Sequence, residues 1–173
     1  TRWYAIRSRR ASAFRGRSEI SVMHDFAELP PPPDPSGFSL LADAPFTITA
    51  EDNAALCAAA GTTADADGTA HPIWFYVATQ VGMGSTVEGI CRACEFDVKD
   101  GPMMAGSKVV FNRPIRVGQP YRVSGRLLNL VRERSRKLGV MDIVEYELKL
   151  ELPDGTPVLV TTNSWVLPRR ELA

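Results

Sequence analysis

From Val144 to Leu152 the chain alternates without a break. Val144, Tyr146, Leu148, Leu150 and Leu152 are apolar, and Glu145, Glu147, Lys149 and Glu151 fill the gaps. Successive strand side chains point to opposite faces, so this pattern predicts a strand with one dry face and one wet face. Leu152-Pro-Asp-Gly-Thr156 has the residues of a tight turn, and Val158 to Val166 then returns antiparallel. Upstream, Tyr121 to Arg132 is another extended segment, and Lys108 to Gly118 opens the series. The stretch from Gly106 to Leu167 therefore predicts a meander of about four antiparallel strands.

The segment that precedes the meander has a different period. His71-Pro-Ile-Trp-Phe-Tyr-Val-Ala-Thr-Gln-Val-Gly-Met83 is apolar nearly all round, and Pro72 suits a first helical turn. Such a composition predicts a helix buried on every side, beginning at His71 or Pro72. A buried helix followed by an antiparallel sheet implies an α+β domain whose sheet curls around the helix. Nearer the N-terminus, Phe46 to Thr49 predicts a short strand, and Thr49 caps a helix from Glu51 to Ala60 that ends at Gly61. Thr62 to Ala70 is a polar loop containing Asp65, Asp67 and Gly68.

With 173 residues the chain is long enough for one domain, expected over 46–168. Pro30 to Pro33, with Pro35 and Gly37, make the preceding segment 23–45 a stiff extended lead-in. The formal charge is zero but unevenly placed. Residues 1–22 hold six arginines and one acid, leaving 14 basic against 19 acidic residues in the remainder. A globular part with five surplus negative charges is a poor partner for nucleic acid. Two readings fit residues 1–22: a transit peptide rich in Arg and Ser, or a leader outside the native protein with Met23 as its start. The first implies a mitochondrial location and the second a cytoplasmic one. No segment approaches the ~20 apolar residues of a membrane span.

Three cysteines are an odd number, which argues against a secreted disulfide framework. Cys91-Arg-Ala-Cys94 has zinc-ligand spacing, but the second ligand pair is missing, so reduced buried thiols are expected and no metal.

Two motifs together carry a resemblance. Ala70-His-Pro-Ile-Trp74 heads the apolar helix, and Val109-Val-Phe-Asn-Arg-Pro-Ile-Arg-Val-Gly118 follows about thirty residues later. This pattern resembles the MaoC-like hydratase/dehydratase group of the hot-dog fold, over Phe46 to Leu167. Members commonly open the central helix with an Ala-His-Gly or Pro-Pro-Thr type start. They also carry a strand ending in an aromatic, one residue, Arg-Pro and a hydrophobic, with Gly-Asp soon after; here Gln119 replaces that Asp. The resemblance implies an antiparallel sheet wrapped around one central buried helix, and acyl-CoA or acyl-ACP thioesters as substrates. The implied reaction is hydration of an enoyl group or dehydration of a 3-hydroxyacyl group, with no cofactor.

That chemistry needs an acid/base pair and an oxyanion hole, the latter supplied in this fold by the free N–H groups of a helix start. In active members an Asp and a His separated by four residues supply the pair, and this chain lacks that spacing. Asp67 with His71 and Asp65 with His71 come nearest. His71 is therefore either the proton carrier, working with Asp67, or a structural residue at the helix start. Ile73 and Trp74 are candidate walls of the substrate pocket. Arg113 either anchors a strand end or reaches the pantetheine or phosphates of the carrier. Arg132, Arg134, Arg136 and Lys137 read as a solvated hairpin tip, or as a contact for the phosphates of coenzyme A.

Three functions follow from the resemblance. The chain is an active hydro-lyase, a non-catalytic hot-dog subunit paired with a catalytic one, or an acyl-CoA thioesterase. The thioesterase needs an acid on the central helix, for which Glu88 is the nearest candidate. A small sheet with open edges also predicts a homodimer, or a heterodimer with another hot-dog subunit.

Overall fold

The structure is a computed structural model and describes residues 28–42 and 44–172. The expectations for residues 1–22, and Met23 and His24, lie outside the described residues. The sheet contains β1 (Ser39–Leu41), β2 (Phe46–Thr47), β3 (Met103–Phe111), β4 (Pro120–Ser135), β5 (Gly139–Glu151) and β6 (Pro157–Pro168). Three helices accompany it: α1 (Ala50–Ala59), α2 (Trp74–Val81) and α3 (Val87–Ala93). The strand order is β1-β4-β5-β6-β3, with β2 also paired to β4, and every pairing is antiparallel.

The alternation read at Val144 to Leu152 extends through all of β5. Val140, Val144, Tyr146, Leu148 and Leu150 are buried in turn, and they point to the same face as Leu159, Trp165 and Leu167 of β6. Trp74 and Ala78 of α2 and Ile90, Cys91 and Cys94 of the α3 segment join them in one core. Tyr146 and Trp165 meet edge to face at 5.2 Å. Burial pushes up the thiols of Cys91 and Cys94, the latter to about 11, which suits reduced, unreactive cysteines. Among the described residues no group of side chains has a metal-site arrangement, and no helix is long and apolar enough to cross a membrane.

Three features differ from the sequence expectations. First, α2 is buried along one stripe, not all round: Trp74, Ala78 and Thr79 are inside, Phe75, Tyr76 and Val77 are half-buried, and Val81 is exposed. The apolar composition of its outer face instead matches an opening beside β3. That strand pairs only with β6, and Met103, Met104, Val110 and Phe111 are all exposed along it. Phe75 of α2 meets Phe111 of β3 edge to face at this opening.

Second, Arg132 is not part of a solvated tip. Cross-strand register sets it opposite Asp142. Its Nε donates to Asp142 Oδ1 at 2.7 Å and its Nη2 to Oδ2 at 2.9 Å. Arg169 Nε donates to the same Oδ2 at 2.6 Å, and the Asp142 side chain is completely buried. Arg169 also donates to the carbonyls of Cys94 and Glu95, closing the end of α3.

Third, β1 lies inside the segment read as a lead-in: Leu40 is 1% exposed and Arg132 Nη1 donates to the carbonyls of Pro30 and Pro31.

Candidate functional site

The loop before α2 is built by side chains that cap and pair locally. Thr49 accepts the N–H of Asp52 and starts α1, as its position before Ala50 requires. α1 then delivers Asn53, 2% exposed, beneath the start of α2. Asn53 Oδ1 accepts two donors, the backbone N–H of His71 at 2.9 Å and the indole Nε1–H of Trp74 at 3.0 Å. On the other side, the loop pairs with the segment after β3. Ala70 N–H donates to Ile115 O, Val117 N–H to Gly68 O, and Thr69 and Arg116 form an antiparallel bridge.

Between these two segments opens a cavity of about 400 Å³ lined by Thr69, Ala70, Pro72, Phe111, Asn112, Arg113, Pro114 and Ile115. Its size falls in the range of small-ligand sites. The two motifs that carried the resemblance, Ala70 to Trp74 and Val109 to Gly118, thus meet as its two walls. Arg113 and Pro114 are shared with a second cavity, which Arg116, Gln119, Leu152 and Val158 complete. No hydrogen bond of the Arg113 guanidinium occurs among the described residues, although Asp154 feels its charge.

The two candidate catalytic residues, Asp67 and His71, share no hydrogen bond among the described residues. Asp67 Oδ1 accepts the N–H of Thr69 at 2.8 Å, and Oδ2 accepts the Thr69 hydroxyl at 2.9 Å and Arg116 Nη1 at 3.2 Å. Those contacts, led by the Thr69 N–H and hydroxyl, hold the carboxyl below its ordinary range. None of them involves His71. The imidazole of His71 instead accepts the N–H of Ile73 at Nδ1, 3.2 Å away.

The expected oxyanion hole is also closed. Trp74 N–H donates to His71 O, Phe75 N–H to Pro72 O and Tyr76 N–H to Ile73 O. His71 N–H goes to Asn53, Ile73 N–H goes to the His71 ring, and Pro72 has no N–H. The start of α2 therefore has no free backbone donor, contrary to the sequence expectation. Pro72, which has no N–H to offer, was the one signal of this in the sequence.

Of the expected pocket residues, Arg113 lines the cavity and Ile73 is 40% exposed just beyond its wall. Trp74 is a core residue, 6% exposed and packed against Phe46. Asn53 is the residue that sequence reading missed. Asp65 takes part in the loop through its backbone, where its carbonyl accepts the Gly68 N–H at 3.2 Å. Glu88 is on α3, not α2, where it pairs with Arg92 at 2.9 Å in solvent; the central helix itself carries no acid.

Neither a family model nor a curated protein matches the sequence. The structure does resemble solved ones. The C-terminally truncated HadBC (3R-hydroxyacyl-ACP dehydratase) complex from Mycobacterium tuberculosis matches with a TM-score of 0.57 at 15% identity, over 77% of this chain and 97% of that one. The ChsH1-ChsH2 complex from the same organism matches with a TM-score of 0.57 at 15% identity, over 76% and 83%. The monoamine oxidase regulatory protein from Archaeoglobus fulgius matches with a TM-score of 0.56 at 19% identity, over 76% and 88%. The architecture is the α+β hot-dog fold.

Proposed function

We propose that this hot-dog chain is a non-catalytic subunit of an acyl-thioester hydratase/dehydratase assembly, acting on acyl-CoA or acyl-ACP beside a catalytic hot-dog chain of the MaoC-like type. The observation that carries this reading is the internal saturation of the helix start. Water addition to an enoyl thioester requires a base, an acid and donors for the developing enolate oxygen. Here the N–H donors are taken by Asn53, by the His71 ring and by backbone carbonyls, while Asp67 is held by Thr69 and Arg116.

The cavity remains, and its apolar wall of Ala70, Pro72, Phe111, Pro114 and Ile115 suits an acyl chain or the pantetheine arm. Arg113, at the boundary with the second cavity, is placed for a phosphate or a carbonyl of the carrier. The apolar opening along β3 supplies the surface for the partner subunit, because a free strand edge beside exposed Met, Val and Phe side chains favours pairing with another chain. Two of the structures that share the fold are themselves complexes named for two components.

The test is an assay of the purified full chain against a trans-2-enoyl-CoA series, repeated with a co-encoded hot-dog chain that carries an intact Asp-His pair. The expected result is no turnover by the chain alone and hydration by the pair. Turnover by the chain alone that collapses in His71→Ala overturns the non-catalytic assignment and restores His71 as the proton carrier. Thioester cleavage without hydration replaces the reaction class.

A further inference from the structure

The loop that walls the cavity is held at its centre by a single side-chain oxygen. Ala70, on one side of His71, is tied to Ile115 across the cavity, and Pro72, on the other side, has no N–H to give. Between them the His71 N–H is fixed by Asn53 Oδ1. The same oxygen takes the Trp74 indole, so the loop and the first residue of α2 hang from one atom. Amide nitrogen cannot accept a hydrogen bond, which fixes the orientation of the Asn53 side chain without ambiguity. The two donors, 2.9 and 3.0 Å away, converge as they do on the oxygen of an oxyanion hole. In this chain they converge on the protein's own amide, buried beneath the start of α2.

Resting on the reading of the cavity as an acyl pocket, we propose that Asn53 is its positioning residue: by filling the convergent donors it sets the Ala70–Pro72 wall and makes the pocket recognise its ligand by shape. The carbonyl of an acyl thioester then gets no hydrogen bond from the helix start. Affinity comes from the apolar walls and from Arg113. α1 is suited to this service and little else, since Asn53 and Cys57 are its buried residues and its remaining surface is largely exposed alanine.

Three variants of the full chain separate positioning from mere support. Asn53→Leu keeps the branched outline and the number of heavy atoms and removes the acceptor. Asn53→Asp keeps an acceptor for both donors. Cys57→Ala loosens α1 without touching the loop. Calorimetric binding of hexanoyl-CoA is expected to weaken about tenfold or more in Asn53→Leu, the scale of leaving buried donors unpaired. It should stay within about threefold of wild type in Asn53→Asp, whose carboxylate serves the same donors. Cys57→Ala should lower Tm while leaving Kd unchanged. Wild-type affinity in Asn53→Leu overturns the proposal, as does an equal loss of affinity in Cys57→Ala. Absence of hexanoyl-CoA binding by wild type removes the acyl-pocket reading and the role in ligand recognition with it. The anchoring itself is read separately from the Trp74 indole proton. Its protection from exchange should be lost in Asn53→Leu and kept in Asn53→Asp, and protection retained in Asn53→Leu refutes the anchoring.

Discussion

Asp142 shows how much one buried side chain can hold. Its two oxygens take three bonds from Arg132 and Arg169, whose side chains are themselves 8% and 5% exposed. Replacing Asp142 by Leu leaves two guanidinium groups in a dry site with only the exposed Glu171, 3.7 Å from Arg169, as counter-charge, and the expected cost is about 3–5 kcal/mol. Urea unfolding measures it; a midpoint within error of wild type would mean that the arginines find other partners. The alternation of β5 was readable from Val144 onward, but this cluster was not. Asp142 stands between Met141 and Ile143 like any hairpin polar residue, and its role emerges only when the register sets it against Arg132. Asp67 behaves in the opposite way, being exposed and stabilised by contacts to Thr69 and Arg116. A carboxyl lowered on folding adds stability above its unfolded pKa, near 3.9, and that contribution is lost as pH falls through the lower folded value. Acidification through that lowered folded value, below the ordinary carboxylate range, should therefore release the Thr69 amide, a change visible in its chemical shift. The same shift persisting in Asp67→Asn would assign it to another group.

At the level of elements, the helix starts and the strand interiors make the sharper claims. The His71 ring accepts the N–H of Ile73, just before α2, so His71→Ala should cost about 1 kcal/mol, the size of one hydrogen bond, and leave turnover of the assembled pair unchanged. A drop in turnover of about a hundredfold, the scale of general acid–base work, would contradict that assignment. In β4, a Cβ on Gly125 would lie 2.3 Å from Glu147 O and 2.6 Å from Leu148 Cδ2. Gly125→Ala should force the β4–β5 ladder apart and lower stability by about 1–3 kcal/mol, as overpacking does. A Tm equal to wild type would show that the two strands can separate freely there. The apolar run after His71 announced a central helix, yet regular helix begins only at Trp74, because Pro72 and the His71 ring first form a turn. α3 escaped sequence reading: seven residues are too few for a convincing period. Thr86, which accepts the N–H of Gly89, was its one available signal.

For the whole molecule, the outer face of α2 is the clearest case of an apolar pattern that is not buried within the described residues. Its apolar residues predicted burial, and in this chain they border the opening along β3. Val110, 52% exposed on that strand, is the position to test. Val110→Lys places a charge on the edge and should weaken association with the partner chain, or with a second copy, by about tenfold in sedimentation or titration. Unchanged association would move the contact to another face. The grip of Arg132 on the carbonyls of Pro30 and Pro31 has a different consequence, one of timing. Those contacts span 102 and 101 residues of chain, and the arginine is held by an aspartate that Arg169 also binds. During synthesis, the proline stretch emerges long before anything exists to receive it. It can dock only after β4 has supplied Arg132, and that arginine is fully held only once Asp142 and then Arg169 have followed, so a ribosome stalled before Arg132 would carry Pro30 and Pro31 without their donor.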